Sequence, residues 1–339
     1  MSEIDATGGV RGWFANSWVG TSGQEATLRR GSDGEHVFHA GRGDDQVWVQ
    51  ARAGHPGEYQ VQVNDETWYL TQEQLENATF KLGRGDDSMW VDESVDVPLR
   101  IEGNQGDDRI VNFGHGVEIH GGRGHDQIAS VGHLNRIQGG RGRDTIVSDG
   151  RHNDIRGGRG HDTVAVGGQD NVVNTGRGRD HVQVAGDRNA VDTGRGADQI
   201  EAWGDDNVLG GMRGHDQIAA YGNGNTLVGE RGRDHLYAVG HGNRVDGGSG
   251  HDSIWAQGNH NHITGFRGRD FIRAVGHFNQ VDGQGGRDRI DVRGHGNHVA
   301  DSEYRRFDLG SAHNLSWQHA HQAQWTALMN AYSYGNPVW

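Results

Sequence analysis

The sequence predicts an all-β fold: a right-handed parallel β-roll, or β-solenoid, of 18-residue coils with two short strands per coil. Three observations carry that prediction. Stepping by 18 from Asp126 lands on Asp144, Asp162, Asp180, Asp198, Asp216, Asp234, Asp252, Asp270 and Asp288, and one step back gives Asp108. Stepping by 18 from Asn135 lands on Asn153, Asn171, Asn189, Asn207, Asn225, Asn243, Asn261, Asn279 and Asn297, with no insertion. A Gly stands two residues before each Asp from Asp126 on (Gly124 to Gly286), and another three residues before each Asn (Gly132 to Gly294). A fixed period of this length marks a stacked repeat rather than a single closed core.

The glycines mark turns, because they accept positive φ and let a neighbouring backbone come close. Two residues after each Asp comes Ile, Val or Leu (Ile128, Ile146, Val164 and on to Ile290). The same class follows each Asn (Ile137, Ile155, Val173, Val191, Leu209 and on to Val299). Each coil therefore reads turn, strand, turn, strand. Two residues further along the first strand, Ser130, Ser148, Val166, Val184, Ala202, Ala220, Ala238, Ala256, Ala274 and Val292 stay small or β-branched. The residues between vary freely (Ala129, Gln183, Glu201, Arg273). Period-two alternation points the first set inward and the second outward. Strands 18 residues apart must lie parallel and stack, at about 4.8 Å per coil, so the array extends roughly 50 Å.

Four segments follow in order. Residues 1–30 are expected to form an N-terminal cap that includes Trp13, Phe14 and Trp18. Residues 31–120 hold acidic, irregular coils in which His36 stands in the Asp place of the first nonapeptide unit. A hairpin at about 51–80 interrupts them, turning at Asn64-Asp65, followed by a Gln/Glu-rich turn and a strand ATFKL. Residues 121–300 form the regular array of ten coils, and 301–339 a C-terminal cap. There His321, Trp325, Leu328, Met329 and Tyr332 lie on one helical face, with Ser316 as N-cap and Gly335-Asn336-Pro337 as the stop. Caps are expected because a bare last coil is an unpaired sheet edge.

The half-repeat GGRGHDQIA at 121–129 matches the nonapeptide G-G-x-G-x-D-x-U-x. On those residues the chain resembles the RTX-type (hemolysin-type) calcium-binding repeat proteins of bacteria, over about residues 31–300. The resemblance implies a parallel β-roll with several Ca2+ ions held between successive Asp turns. Carried onto this chain, the ligands are Asp45, Asp87, Asp108, Asp126, Asp144, Asp162, Asp180, Asp198, Asp216, Asp234, Asp252, Asp270 and Asp288. The backbone carbonyls of Gly122, Gly124, Gly140, Gly142, Gly158 and Gly160 join them. Such hard oxygen ligands suit Ca2+.

The Asn half departs from the family pattern: its Asp is Asn and its Gly comes one place later, as in SVGHLNRIQ at 130–138. An amide edge lacks the charge to compensate a cation, so it is expected to be metal-free and held by an Asn–Asn ladder. The front turns carry a second acid (Asp44 with Asp45, Asp86 with Asp87, Asp107 with Asp108) and are expected to hold calcium best.

Stacked carboxylates about 5 Å apart repel by about 0.8 kcal/mol per neighbouring pair in water, and by more in a lower dielectric, so something positive must lie along the Asp edge. Calcium is one candidate and the chain's own Arg the other. Arg stands three residues before the Asp at Arg123, Arg141, Arg159, Arg177, Arg195, Arg213, Arg231 and Arg267. The residue just before the Asp is His or Arg at His125, Arg143, His161, Arg179, His215, Arg233, His251, Arg269 and Arg287. Three readings of these cations stay open: a solvated outward stripe, an Arg–Asp ladder that partly replaces calcium, and a face for an anionic partner at Arg143, Arg179, Arg233 and Arg269.

Composition narrows the functions. With no Cys, thiolate sites and disulfides are excluded. The net charge of −14 sits at the front: residues 1–120 hold 9 Lys+Arg against 21 Asp+Glu, or −12, whereas 121–300 hold 21 against 22, or −1. The Arg/His stripe is thus matched by acids, and no nucleic-acid footprint is expected. His319 and His321 lack a metalloprotease helix motif. The RGD triplets at Arg42 and Arg84 fall out of the repeat.

No charged-then-apolar leader and no apolar run of about 18 residues occur, so no membrane span is expected. The chain is expected to be secreted without a leader, by the type I route that the resemblance implies. Type III stays open, because the composition is similar to that of the harpins. The function expected is a non-enzymatic, secreted calcium-binding β-roll protein in which ion binding is coupled to folding. An effector or adhesin that binds an acidic polysaccharide or host surface is the alternative, and a polysaccharide-modifying β-helix enzyme the third reading.

Overall fold

The computed structural model describes residues 26–30 and 35–300. The expected C-terminal helix, and Trp13, Phe14 and Trp18, lie outside these residues. Strand pairing follows the 18-residue period. Among the first strands are β1 (Thr27–Arg30), β2 (His36–Gly41), β3 (Gln46–Ala51), β4 (Glu58–Val63), β5 (Glu66–Thr71), β6 (Ala78–Arg84), β7 (Ser88–Val91), β8 (Arg100–Gln105), β9 (Arg109–Asn112), β10 (Glu118–Arg123), β11 (Gln127–Val131) and β12 (Arg136–Arg141). One parallel sheet runs β2, β6, β8, β10, β12 and onward to His298–Ala300. The other runs β3, β7, β9, β11 and onward to Arg289–Arg293. Each coil gives one strand to each sheet, and equivalent residues pair: Ile119 with Ile137, Ile128 with Ile146.

The inward rows are those that the alternation predicts. Ile119, Ile137, Ile155, Val173 and Leu209 on one sheet face Ile110, Ile128, Ile146, Val164 and Ile200 on the other, all at most 1% exposed. Burying such aliphatics stabilises the coil by roughly 2–3 kcal/mol per side chain. Ser130, Ser148, Val184 and Ala202 lie beside them, equally buried. One outward position differs from the expectation: Ala129 is only 2% exposed, as is its register neighbour Val111 at 1%.

At the front both sheets gain antiparallel strands. β1 pairs antiparallel with β2, and β4 pairs antiparallel with β3 and with β5. The hairpin turns where the sequence predicts, at Asn64-Asp65, with Asn64 in the left-handed region (φ 52°). The expected Gln/Glu-rich turn is instead a helix of five residues, Gln72–Glu76. Its start is a capping box: the Thr71 hydroxyl accepts from Gln74 N, and the Gln74 side chain accepts from Thr71 N. His36 takes the place of Asn rather than Asp in the first coil, because the register runs Arg136, Glu118, Arg100, Thr79, Val37, one residue after Asn135, Val117, Leu99, Ala78 and His36.

Candidate metal centre

Two turns close each coil, and the nine-residue rhythm places Asp at one and Asn at the other. Both side chains point into the coil rather than out of it. Asp126, Asp144, Asp162 and their equivalents are at most 2% exposed from Asp45 to Asp270, and Asp288 is 8% exposed. The stack holds them by one repeated bond: the backbone N–H of each Asp donates to Oδ1 of the next Asp along the chain. It runs from Asp45 N to Asp87, through Asp108 N to Asp126 and Asp126 N to Asp144, up to Asp270 N to Asp288, at 2.7–3.0 Å.

Oδ1 is thereby spent, and Oδ2 is not. In the twelve residues Asp45, Asp87, Asp108, Asp126, Asp144, Asp162, Asp180, Asp198, Asp216, Asp234, Asp252 and Asp270, Oδ2 is buried without a hydrogen-bond partner. A row of buried, uncompensated carboxylate oxygens is costly, and the carboxyls respond by holding their protons. Burial pushes the carboxyl up to about 8 at Asp108, to about 7 at Asp87, Asp144, Asp162, Asp216 and Asp252, and to about 6 at Asp126, Asp198 and Asp270. The N–H bond to Oδ1 opposes the rise. Asp45, Asp180 and Asp234 are raised as well, burial again leading.

Where a glycine stands five residues before the Asp, a small oxygen-lined space lies beside Oδ2. A Cβ added to Gly139, five residues before Asp144, would sit 2.6 Å from Asp144 Oδ2 and 2.8 Å from the carbonyl oxygen of Gly157 one coil on. At Gly265 the corresponding distances are 2.8 Å to Asp270 Oδ2 and 3.0 Å to Gly283 O. Gly keeps this space open by lacking a side chain. In four coils it is filled: Ala40 and Leu82 stand at the same position before Asp45 and Asp87, and Thr175 and Thr193 before Asp180 and Asp198, all of them buried. The Thr175 hydroxyl donates to Thr193 O at 3.2 Å, and the Thr193 hydroxyl reaches the carbonyls of Gly210 and Gly211 at 3.3 Å. Both hydroxyls also draw the adjacent carboxyls back down.

This donor set fits a hard divalent cation. Among the described residues no three His, Asp or Glu side chains converge. A cation here therefore takes one carboxylate per coil and fills the rest of its shell from backbone carbonyls, as oxygen-only Ca2+ sites do. The carbonyls beside Oδ2 belong to the first glycine of each pair, such as Gly157 and Gly283. Those of Gly122, Gly124, Gly140 and Gly142 point instead at the glycine one coil on, where an added Cβ on Gly140, Gly142, Gly158 or Gly160 would collide with them.

The alternative of an Arg–Asp ladder does not form. Arg123, Arg141, Arg159, Arg177, Arg195, Arg213 and Arg231 are all exposed on the outside of the turn, while the Asp side chains lie inside it. Backbone bonds hold this row in register: Gly124 N donates to Arg141 O, Gly142 N to Arg159 O and Gly160 N to Arg177 O, at 2.8–2.9 Å. The second basic row is also exposed and alternates. His125 Nδ1 accepts from Arg143 N, His161 Nδ1 from Arg179 N, His215 Nδ1 from Arg233 N and His251 Nδ1 from Arg269 N, at 2.7–2.9 Å. Arg143, Arg179, Arg233 and Arg269 are thus at least two coils apart, not a continuous face. In front coils the second acids take that outer place: Asp86 N donates to Asp44 Oδ1 and Asp107 N to Asp86 Oδ1. These outer acids act on the buried row by charge: Asp44 and Asp86 help raise Asp87, Asp86 helps raise Asp108, and Asp107 helps raise Asp126 and Asp144.

The Asn edge shares the ladder and, apart from Asn243 Nδ2 and Asn261 Nδ2, lacks the orphan. Each Asn N–H donates to Oδ1 of the next Asn, from Asn135 N to Asn153 up to Asn279 N to Asn297, at 2.8–2.9 Å. Nδ2 then donates to a turn carbonyl, Asn153 to Gly132 O, Asn189 to Gly168 O and Asn225 to Gly204 O, at 3.0–3.1 Å. The expected Asn–Asn amide ladder is thus replaced mainly by bonds to the main chain, since backbone donors and acceptors lie nearer than the neighbouring amide. A direct amide–amide bond, Asn171 Nδ2 to Asn189 Oδ1 at 3.1 Å, also occurs.

The family model for the RTX calcium-binding nonapeptide repeat (4 copies) matches residues 134–164, 147–182, 185–218, 220–254 and 237–272. Among solved structures, the chain is similar to one described as the X-ray crystal structure of a hyperactive, Ca2+-dependent, beta-helical antifreeze protein from an Antarctic bacterium. Identity is 21%, over 68% of this chain and 74% of that one, with a TM-score of 0.46. No curated protein matches. The coils between residues 134 and 272 are RTX calcium-binding nonapeptide repeats, wound here as a parallel β-solenoid.

Proposed function

We propose that the protein is a non-enzymatic, extracellular calcium-binding β-roll in which ions along the Asp edge are coupled to folding. The observation that carries this reading is the row of buried, unpartnered Oδ2 atoms from Asp45 to Asp270, most of them beside a space that a glycine keeps open. A bound cation supplies the missing positive charge. The chain's own part is to hold one carboxylate and several carbonyls per coil in a fixed stack, which the unfolded chain cannot do, so binding energy becomes folding energy. Of the front coils, which carry Asp44, Asp86 and Asp107 outside the buried row, the Asp108 coil keeps its glycine, Gly103, beside the carboxylate and binds most tightly. β1, β4 and β5 close the front of the stack.

Circular dichroism and thermal melting in calcium and in excess chelator test the reading. A large fall in melting temperature on chelation supports it, and an unchanged one removes calcium from the account. The repeats favour an extracellular site, by the type I route typical of RTX proteins. Fractionating a culture of the native host into cells and medium tests that. Among the described residues no helix is long and apolar enough to cross a membrane.

A second reading is favoured by the outer Arg rows: the Asp edge also binds an acidic glycan or host surface. The enzyme reading has no residue set of its own, since each Asp of the row is accounted for by the repeat. Release of product from uronic-acid polymers would replace the non-enzymatic account.

A further inference from the structure

Several other cations of this chain find acids. Arg52 pairs with Glu58, Arg100 with Glu118 at 3.1 Å, Arg156 with Asp154 at 3.0 Å and Arg188 with Asp170 at 2.8 Å. The row from Arg123 to Arg231 does not: among the described residues none of its seven guanidinium groups has an ion-pair partner. Parallel register sets these residues directly opposite one another, Arg123 with Arg141, Arg141 with Arg159, Arg159 with Arg177, Arg177 with Arg195, Arg195 with Arg213 and Arg213 with Arg231. Like charges directly opposite destabilise a sheet, and here they recur at about 4.8 Å over seven coils. The buried Asp beneath each turn offsets part of that repulsion, and any cation bound beside the Asp removes the offset.

The row also lines a channel. Two shallow open grooves run along it, one holding Arg123, Arg141 and Arg159 and the next holding Arg159, Arg177, Arg195, Arg213 and Arg231, so that they meet at Arg159. The floor is glycine from Gly122 to Gly194 and then Met212 and Glu230, and the far side is polar or acidic, with Glu102, Gln138, Asn174 and Asp192. From Arg123 to Arg195 the groove is therefore flat-floored and lined on one side by forked donors at a constant step. The guanidinium fork matches a planar carboxylate with two parallel bonds.

We propose that this arginine-lined groove binds a linear polyuronate, an extended polysaccharide with one carboxylate per sugar, laid along the solenoid with about one sugar per coil. An extended chain of pyranoside units advances by nearly the coil spacing, so the carboxylates that its screw symmetry turns toward the groove stay in step with the arginines. Nucleic acid fits less well. A single strand needs aromatic platforms on which bases stack, and neither groove contains a Phe, Tyr or Trp. The proposal deepens the acidic-glycan reading and places it on the Arg123 to Arg231 row rather than on Arg143, Arg179, Arg233 and Arg269. It does not rest on calcium, because backbone register alone assembles the row.

The test is binding of galacturonate octamers, too short to gel, to the full chain, measured by titration calorimetry in calcium and in chelator. Neutral dextran octamers and a poly-dT oligonucleotide serve as comparison ligands. The expected result is octamer binding that weakens with salt, no dextran binding, and at least tenfold weaker binding of poly-dT. Changing Arg159→Ser, Arg177→Ser and Arg195→Ser together should cost tenfold or more in affinity. The matching Lys variants, which keep charge but lose the fork, should fall between. Changing Arg143→Ser, Arg179→Ser and Arg233→Ser should cost less than threefold. Far-UV circular dichroism and calcium-dependent melting show whether each variant folds, and they report on the calcium reading separately. The proposal is overturned by wild-type affinity in the Arg159/Arg177/Arg195 variant, by an equal loss in the second-row variant, by poly-dT binding as tight as the octamer, or by no octamer binding in the calcium-folded protein.

Discussion

Asp126 and Asn135 sit at the two turns of one coil and use the same backbone device. Each accepts, on Oδ1, the N–H of the residue one coil before it, and each is almost fully buried. They differ in a single atom. Where Asn153 has Nδ2, a donor that reaches Gly132 O at 3.1 Å, Asp144 has Oδ2, a second acceptor with no donor to meet. The Asn turn is closed by the chain itself, while the Asp turn remains open until something positive enters. On the proposed reading, calcium dependence is written in one atom per coil, and removing the ion should affect one edge only.

The largest effect is expected from chelation. With the Asp row uncompensated, the melting temperature should fall by about 10 °C or more relative to calcium-saturated protein, and hydrogen exchange should speed first at the Asp turns. Equal exchange at both edges would break the comparison.

Swapping the atom is the next test. Asn153→Asp removes the bond to Gly132 O and buries a new charge, with an expected loss of about 2–4 kcal/mol that calcium does not restore. Asp144→Asn should act oppositely: higher stability in chelator, lower in calcium, and one fewer ion by calorimetric titration. If Asn153→Asp gained an ion instead, the sequence of the turn around it would not matter and the comparison would fail.

Acidity sharpens the same contrast. The carboxyls of the Asp row hold their protons up to about 6 to 8, against about 4 in the unfolded chain. Between those values the folded state carries protons that the unfolded state has lost, so the stability of calcium-free protein must fall as pH rises. Melting in chelator at about pH 6.5 and about pH 8.5 should give the lower midpoint at the higher pH, the Asp108 coil losing most. Calcium should flatten or reverse the trend, since ions compete with protons for the same oxygens. A midpoint independent of pH in chelator would mean that the carboxylates are compensated without metal.

Much of this was legible in the sequence, because an uninterrupted period fixes register. Knowing that Ile128, Ile146 and Val164 stack is enough to place two sheets, two turn edges and the inward rows. The hairpin was legible from Asn64-Asp65, and the helix after it carries a signal in Thr71-x-x-Gln74. The use of each polar atom was not legible. Whether Arg123 turns in toward Asp126 or out to solvent depends on which side of the turn the backbone presents, and the residue pattern is the same either way. The Asn ladder likewise resolves into bonds to main chain because carbonyls such as Gly132 O come within reach only in the folded stack. The space beside Gly139 is invisible as spacing, since it exists only where a glycine in one coil meets a carbonyl in the next.

That space gives the smallest and most local test. Gly139 has an ordinary backbone conformation, so Gly139→Ala is not strained by φ; its Cβ would simply occupy the position 2.6 Å from Asp144 Oδ2 and 2.8 Å from Gly157 O. The chain already carries this experiment in two coils, where Thr175 and Thr193 fill the corresponding space and turn their hydroxyls to carbonyls. Gly139→Ala should therefore lose one calcium ion and about 1–2 kcal/mol more in calcium than in chelator, where only the shift of Gly157 O costs stability. Replacing Thr175 and Thr193 by Gly should do the reverse, adding ions at Asp180 and Asp198 and extending calcium dependence through the middle of the array. If titration finds the same ion count in Gly139→Ala, or in the Thr175→Gly/Thr193→Gly variant, the cation does not sit beside Oδ2. The binding geometry would then have to be sought at the carbonyls of Gly140 and Gly142 on the outer side of the turn.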